Sequence, residues 1–404
     1  MDGKKKAFQL IILFGLVSLF GDIVYEGARS VNGPYLKTLG ANAAAVGLIG
    51  GLGEFVGYAI RLLSGYFADK TKAYWAFTFV GYGLLISVPL LALAGVWQVA
   101  AVFIVCERLG KALRSPANDT ILSQAAKQVG TGFWFGLNEA MDQLGALTGP
   151  LLFAGLFFWA GKSGTVAADY QQGYALLLIP FLLLIVCIIV AFLRVPSPEQ
   201  LERIDPAKPQ SDKLSRLFWL YNLFSVLTAA GLVSFVLLGY HFKAKGILSD
   251  AQIPFFYAIA MAVDGVAALF IGKVYDVLKA RKKKEAAGLL LLVFVPLLSA
   301  MIPLLAFSDM FSLIILGVVL WGIVMGAHET IMKSAIADLT SLKRRGTGYG
   351  IFNTGYGIAM LIGGALMGVL YDLSIPLLVL VASSLEFLAL PVFFAIRKEL
   401  ARQE

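Results

Sequence analysis

Charge is scarce in this chain: Asp, Glu, Lys and Arg supply 14% of its 404 residues, against about 25% in an ordinary soluble domain. Cysteine and histidine are scarcer, with two of each. Cys106 and Cys187 both lie inside apolar runs, so there is no disulfide framework and no metal-ligand spacing, and two histidines cannot build a zinc site by themselves. H-E-x-x-H, the phosphate-cradling G-x-x-x-x-G-K-[ST] and a nucleophile elbow are all missing, which excludes the enzyme classes those motifs carry. We expect no enzyme and no cofactor, and any work the protein does must draw on an ion gradient rather than ATP. Polar stretches are short as well. The longest, about Val195 to Ser215, is too small for a soluble sensor domain.

What the chain has instead is apolar length. It is 59% hydrophobic with a mean hydropathy of +0.82, the composition of a polytopic membrane protein. Twelve apolar segments stand near 8–36, 43–67, 74–94, 97–122, 131–160, 172–193, 216–242, 252–274, 286–307, 311–337, 347–371 and 375–396, each long enough to cross ~30 Å of hydrocarbon as a helix. The interruption at 195–215 is rich in proline and charge and reads as a linker between two six-span halves, 1–194 and 216–404.

The net charge of +8 could suggest nucleic acid, but its placement decides otherwise. Lys4 to Lys6, Lys70 and Lys72, Lys127, Arg203 with Lys208 and Lys213, Arg281 to Lys284, Lys343 to Arg345, and Arg397, Lys398 and Arg402 fall in alternate loops. The opposite loops receive only Lys37, Lys162, Lys243 and Lys245. That alternation predicts spans in the plasma membrane with both termini cytoplasmic, and a lipid partner rather than a nucleic acid. Lys4 to Lys6 then open a retained first span, whose apolar run is too long and too charged for a signal peptide.

That first span, FQLIILFGLVSLFGDIVYEGARSVNGPYL from Phe8 to Leu36, carries Asp22, Glu26 and Arg29. At 3.6 residues per turn, positions i, i+4 and i+7 share one narrow stripe. An ionisable group at mid-bilayer costs at least ~2.5 kcal/mol on insertion scales, so the stripe must face protein or a water-filled cavity. Mutual neutralisation of Glu26 and Arg29 near a helix end explains two of the three charges and leaves Asp22 over. In the second span Glu54 and Arg61 share a face, seven residues apart, as a candidate ion pair. Asp264 in the eighth span has no partner within its own helix. His328 and Glu329 in the tenth form the one membrane histidine–carboxylate pair, with Lys333 a turn after Glu329. Histidine titrates near physiological pH and suits a proton relay; a buried structural histidine is the plainer reading. His241, at the outer end of the seventh span, is given no role.

Matched punctuation marks an internal repeat. Gly65-Tyr-Phe-Ala-Asp69 closes the second span and Gly272-Lys-Val-Tyr-Asp276 the eighth, each before a basic loop. Gly130-Thr-Gly132 opens the fifth span and Gly346-Thr-Gly348 the eleventh, with Asn138 and Asn353 following. On these residues the chain resembles the major facilitator superfamily over essentially its whole length. GYFADKTK, Gly65 to Lys72, is similar to the family's G-x-x-x-D-[RK]-x-[GK] signature, with Thr71 where a glycine is expected. Glu107-Arg108-Leu-Gly110-Lys111-Ala-Leu-Arg114 resembles the R-x-x-x-G element of the fourth helix, with Ala112 in the place of glycine. Gly145 with Gly149-Pro150 resembles the fifth-helix G-x-x-x-G-P motif associated with exchangers, Phe153 and Ala154 replacing its trailing glycines. GDIVYEGARSVNGPYLKTLGA, EFVGYAIRLLSGYFADKT and ERLGKALRSPANDTIL together resemble a prokaryotic branch described as efflux permeases, with Asn118 where that branch carries arginine.

The resemblance implies an all-α membrane protein of twelve transmembrane helices in two pseudo-symmetric six-helix bundles, working as a monomer by alternating access. It implies that Asp69, beside Gly65, engages the start of the eleventh span near Gly346, and that Asp276, beside Gly272, engages the start of the fifth near Gly130. Both contacts would latch the cytoplasmic side, the plainer reading being solvated loop charges. Arg108 would sit beside the cavity and tune a carboxylate, while Gly145, Gly149 and Pro150 would allow tight helix contact and a bend. Lys111 and Arg114 have a rival place at the cytoplasmic surface, and for Arg114, just before Pro116, we expect that place. The candidates for proton coupling and substrate contact are Asp22, Glu26, Arg29, Glu54, Arg61, Arg108, Asp264, His328 and Glu329. The expected function is export of a small molecule in exchange for protons. The alternative is an importer or uniporter of a polar or anionic solute, with Arg29, Arg61 and Arg108 as anion contacts.

Overall fold

The computed structural model describes residues 2–129, 131–160, 167–197, 214–282, 285–340 and 345–402. Among them helix is the only regular structure, as a hydrocarbon solvent demands, because each backbone N–H and C=O must bond within its own segment. The first two spans are α1 (Asp2–Thr38) and α2 (Ala43–Thr71). The third joins α3 (Tyr74–Gly83) to the short α4 (Ser87–Leu90) through 3₁₀ turns. α5 (Trp97–Val129) and α6 (Thr131–Ala160) are the fourth and fifth, and α7 (Ala167–Leu176) with α8 (Leu178–Arg194) makes the sixth. In the second half the seventh span is α9 (Arg216–Gly231) plus α10 (Phe235–Lys245), and the eighth is α11 (Gln252–Lys282). The ninth runs from a 3₁₀ stretch, Glu285–Val293, into α12 (Phe294–Ser299) and α13 (Met301–Ala306). α14 (Phe311–Leu339), α15 (Arg345–Leu373) and α16 (Ile375–Arg402) complete the twelve. Among the described residues, eleven spans are long and apolar enough to cross a membrane on composition alone. The other, α5, is 33 residues long and misses that composition because Glu107, Arg108, Lys111 and Arg114 sit within it.

Two of the interruptions have local causes. Pro296 and Pro303 lack the N–H that the helix ladder needs, and the ninth span is pieced together around them. The seventh breaks at 232–234. There Ser234 Oγ accepts from Leu237 N at 3.4 Å to cap α10, and the Trp321 indole N–H donates to the Val233 carbonyl at 3.0 Å, so backbone groups freed by the break are re-satisfied.

These helices form two compact units, one of Met1–Ala41, Val56–Pro206 and Leu248–Ala258, the other of Asn42–Phe55, Ala207–Ile247 and Ile259–Glu404. A division at 195–215 would assign 42–55 to the first half and 248–258 to the second. By contact each belongs to the opposite unit. In the first unit α1 packs on α5, α6 and α8. Its approach to α6 is very close: a Cβ at Gly145 would lie 2.6 Å from the Leu19 carbonyl oxygen, and one at Gly149 would lie 2.7 Å from Gly27 N. Tyr170 and Asp250 are hydrogen-bonded, which ties the residues before α11 to α7 in the same unit. In the second unit α9 packs on α15 and α16, and α14 on α13. The first half of α2 lies backbone-to-backbone on α15, with Gly51 facing the Met360 carbonyl. Its N-terminus is doubly capped. Asp372 accepts from Ala43 N at 3.2 Å and Ala44 N at 2.9 Å, and Asn42 Oδ1 accepts from Ala45 N at 3.0 Å, filling the donors that a helix start leaves open.

Candidate functional site

The span-one stripe lies inside the first unit, and its three residues are only partly exposed. Arg29 Nη1 stands 3.7 Å from Glu26 Oε1, with side chains 15% and 12% exposed. Glu26 Oε2 also accepts from the hydroxyl of Tyr257, a fully buried residue in the first turns of α11. One turn earlier, Asp22 interacts electrostatically with Asp142, Glu26, Lys111 and Arg114. The absence of a side chain at Gly145 makes room for it, since a Cβ there would lie 2.8 Å from the Asp22 Cβ. Asp142 is itself held by Ser18 Oγ and, at 2.9 Å, by Asn138 Nδ2. Two carboxylates thus come together from α1 and α6, on residues far apart in sequence.

α5 faces this group with cations. Arg108, Glu107 and Arg114 are buried. Arg108 Nε lies 3.6 Å from Glu107 Oε2, its Nη1 bonds the Tyr25 hydroxyl, and its guanidinium sits 4.6 Å from the Tyr25 ring centre. Lys111 Nζ is 4.0 Å from the same ring. Arg114 is not at the cytoplasmic surface. It stands 3.7 Å from Glu107, donates to the Gly81 carbonyl at 3.4 Å and lies over Tyr82 at 4.8 Å. Glu107, two turns earlier on the same stripe, draws it inward. The sequence alone cannot reveal that, because Tyr82 and Gly81 arrive from α3. Asn118, where the resembling branch has arginine, accepts from Thr78 and donates to Tyr82, both at 2.9 Å.

Of the remaining candidates, Arg61 stays beside this group, acting electrostatically on Lys111, while Glu54, Asp264, His328 and Glu329 belong to the second unit. Arg61 makes no ion pair with Glu54; its guanidinium lies 4.9 Å from the Tyr58 ring instead. Seven residues of helix rise about 10.5 Å, too far for a direct contact. Glu54 lies on the half of α2 that belongs to the second unit. There Asp264 is buried with its carboxylate against α14, where a Cβ at Gly326 would lie 3.0 Å from Oδ1. His328 and Glu329 point different ways. The imidazole is buried, 6.2 Å from Tyr356 between ring centres, whereas Glu329 is exposed. Consecutive helix positions are about 100° apart, which separates them. The side chain of Lys333 lies outside the described residues.

At the repeat motifs, Asp69 is exposed and accepts from the Tyr74 hydroxyl at 3.2 Å. Asp276 is also exposed, and Gly130 lies outside the described residues. Gly65 packs on Pro116, and Gly272 faces Thr330. Three contributors went unnoticed in the sequence: Tyr25, Tyr257 and Glu386. The last had a signal, being the one ionisable residue inside the segment 375–396. His241, given no role, is buried with Nδ1 2.9 Å from the Tyr371 hydroxyl.

The sequence profile of the Major Facilitator Superfamily matches residues 14–299 and 247–404. The chain belongs to that superfamily. An uncharacterized protein of Mycobacterium tuberculosis is 40% identical over 397 residues, 97% of this chain and 93% of the relative. An uncharacterized MFS-type transporter of Methanocaldococcus jannaschii is 31% identical over 154 residues, 37% of this chain and 38% of the relative. Among solved structures, a bacterial homologue of the lysosomal transporter Spinster, inward-facing and unoccupied, matches with a TM-score of 0.70 at 15% identity, covering 97% of this chain and 98% of that one. The nucleoside transporter NupG matches with a TM-score of 0.67 at 13% identity, covering 96% and 99%. At such identity the likeness shows the fold alone. The fold and the family make this a multi-pass membrane protein of the transporter type, on a fold that supports secondary transport.

Proposed function

We propose that the protein exports a small molecule in exchange for protons, by alternating access of residues 1–194 and 216–404, as a monomer in the plasma membrane with both termini cytoplasmic. The observation that carries this reading is Glu26, bonded at once to Arg29 and to Tyr257 and one turn from Asp22. A proton on Glu26 removes its attraction for Arg29 and turns a charge-assisted bond from Tyr257 into a neutral one of about half the strength. Because Tyr257 belongs to the start of α11, proton occupancy on α1 biases where α11 rests. Asp22, Asp142, Lys111 and Arg114 form the balancing set that a substrate enters. In this reading Asp69 and Asp276, with Gly65 and Gly272, serve as cytoplasmic latches, while Asp264, His328 and Glu329 serve the C-terminal half.

The test is proton movement by the purified protein in detergent as a panel of lipophilic cations, neutral drugs and organic acids is added. A compound-specific proton release, lost in the Asp22→Asn/Glu26→Gln variant, is the expected result. Silence across the panel, or release that survives the double substitution, rejects proton antiport at span one. The opposite sign, proton uptake with the compound, turns the reading to an importer of the same fold.

A further inference from the structure

Spans one, two and four of the first unit bring Arg29, Arg61, Arg108, Lys111 and Arg114 together, and the unit does not treat them alike. Arg29 is paired with Glu26, and Arg108 and Arg114 share Glu107. Arg61 and Lys111 have no carboxylate within ion-pair distance and no side-chain hydrogen bond among the described residues, only the rings of Tyr58 and Tyr25. Arg61 Nε is buried and has no acceptor. A ring face attracts a cation but accepts none of its N–H groups in the way an oxygen does, so the donors of both side chains stay available.

The two are also neighbours. On α2, Arg61 lies between Gly57, where an added Cβ would be 3.9 Å from Arg108 Cδ, and Ser64, whose Oγ donates to the Ala112 carbonyl at 2.6 Å. Lys111 lies between those same two points on α5, and Arg61 and Arg108 both act on it electrostatically. Glu26 and Glu107 act on Lys111 as well, without reaching ion-pair distance. The two adjacent cations therefore feel nearby carboxylates yet keep N–H donors that no protein oxygen accepts among the described residues, a place an anion can fill.

We propose that Arg61 and Lys111 form an oxyanion-binding pair, and that the transported molecule carries a carboxylate or a phosphate ester that they hold. This rests on the transport reading above and specifies its substrate class. The guanidinium offers a planar fork to one or two oxygens and the ammonium adds a point charge beside it. The ring of Tyr58, half-buried and already against Arg61, supplies apolar surface for the organic part of the molecule. Release follows when helix movement separates α2 from α5 or when a proton neutralises the anion.

The experiment uses the purified full-length protein in detergent at constant ionic strength and follows its melting temperature. Acetate, benzoate, phenyl phosphate and inorganic phosphate are compared with the neutral acetamide, benzamide and phenol. A saturable rise with at least one oxyanion and none with the neutral partners is expected, and the carboxylate and phosphate arms tell which group is carried. Arg61→Gln and Lys111→Gln should each weaken the effect by roughly tenfold or more, the loss of a charge-assisted bond, while Arg61→Lys and Lys111→Arg restore part of it. If a glutamine variant does not fold, the lysine and arginine exchanges still report a changed affinity. No response to any oxyanion, an equal response to the amides, or binding indifferent to all four substitutions overturns the proposal. Proton release without oxyanion binding sinks this inference alone, and oxyanion binding without proton release sinks the proton-exchange reading alone.

Discussion

Glu386 shows what one residue can hide in an apolar segment. It is fully buried in α16, accepts from Ser299 Oγ at 2.7 Å through Oε1, and its Oε2 has no hydrogen-bond partner among the described residues. Gly231, at the end of α9, leaves space for the carboxyl, since a Cβ there would lie 2.9 Å from Oε1. The side chain therefore joins spans seven, nine and twelve. Glu386→Gln keeps the acceptor for Ser299 and should melt close to the parent. Glu386→Ala strands the Ser299 hydroxyl beside a void and should cost roughly 2–4 kcal/mol, read from thermal or denaturant unfolding in detergent. Equal stability of the two variants would show that Glu386 does not tie these spans together.

At the scale of the element, contact between α1 and α6 decides whether the acidic stripe is positioned at all. A leucine at Gly149 would drive its Cβ into the backbone of Gly27. Overpacking of this kind costs about 1–3 kcal/mol or more. On the same helix Gly155 has nothing within 4 Å of a built Cβ, so Gly155→Leu should be tolerated. A lower melting temperature for Gly149→Leu than for Gly155→Leu is the expected outcome, and indistinguishable values would remove close packing as the reason for the motif. The G-x-x-x-G-P spacing was legible in the sequence because a glycine repeat four apart is a local pattern. Its partner was not. Gly27 and the Leu19 carbonyl are more than a hundred residues away, and nothing in either stretch names the other.

At the scale of the whole molecule, segments 42–55 and 248–258 each pack with a unit other than that of their own sequence half, so under the proposed alternating access of 1–194 and 216–404 they would change partners during the cycle. The cap by Asp372 on Ala43 and Ala44 marks one such junction. In a protein with Cys106 and Cys187 replaced, a short thiol cross-linker between Ala44→Cys and Asp372→Cys should stop transport, and cleaving the linker should restore it. Transport by the fully cross-linked protein at the uncross-linked rate would show that α2 and α15 need not part.

The twelve spans, the basic loops and the inward stripe of Asp22, Glu26 and Arg29 were determined by the sequence itself. Hydropathy, the cost of charge in hydrocarbon and helical periodicity all act over one helix length, so they can be read without knowing any neighbour. Tertiary structure alone decided the rest. It brought Tyr257 to Glu26 and Asp142 to Asp22, buried Arg114 against Tyr82, and left the Arg61 and Lys111 side chains without an oxygen acceptor among the described residues while pairing Arg29, Arg108 and Arg114. Whether a charge is paired depends on which helices touch and in what register. That is settled by the backbone approaches at Gly145 and Gly149 and by the helix breaks, through contacts between residues that no local pattern connects.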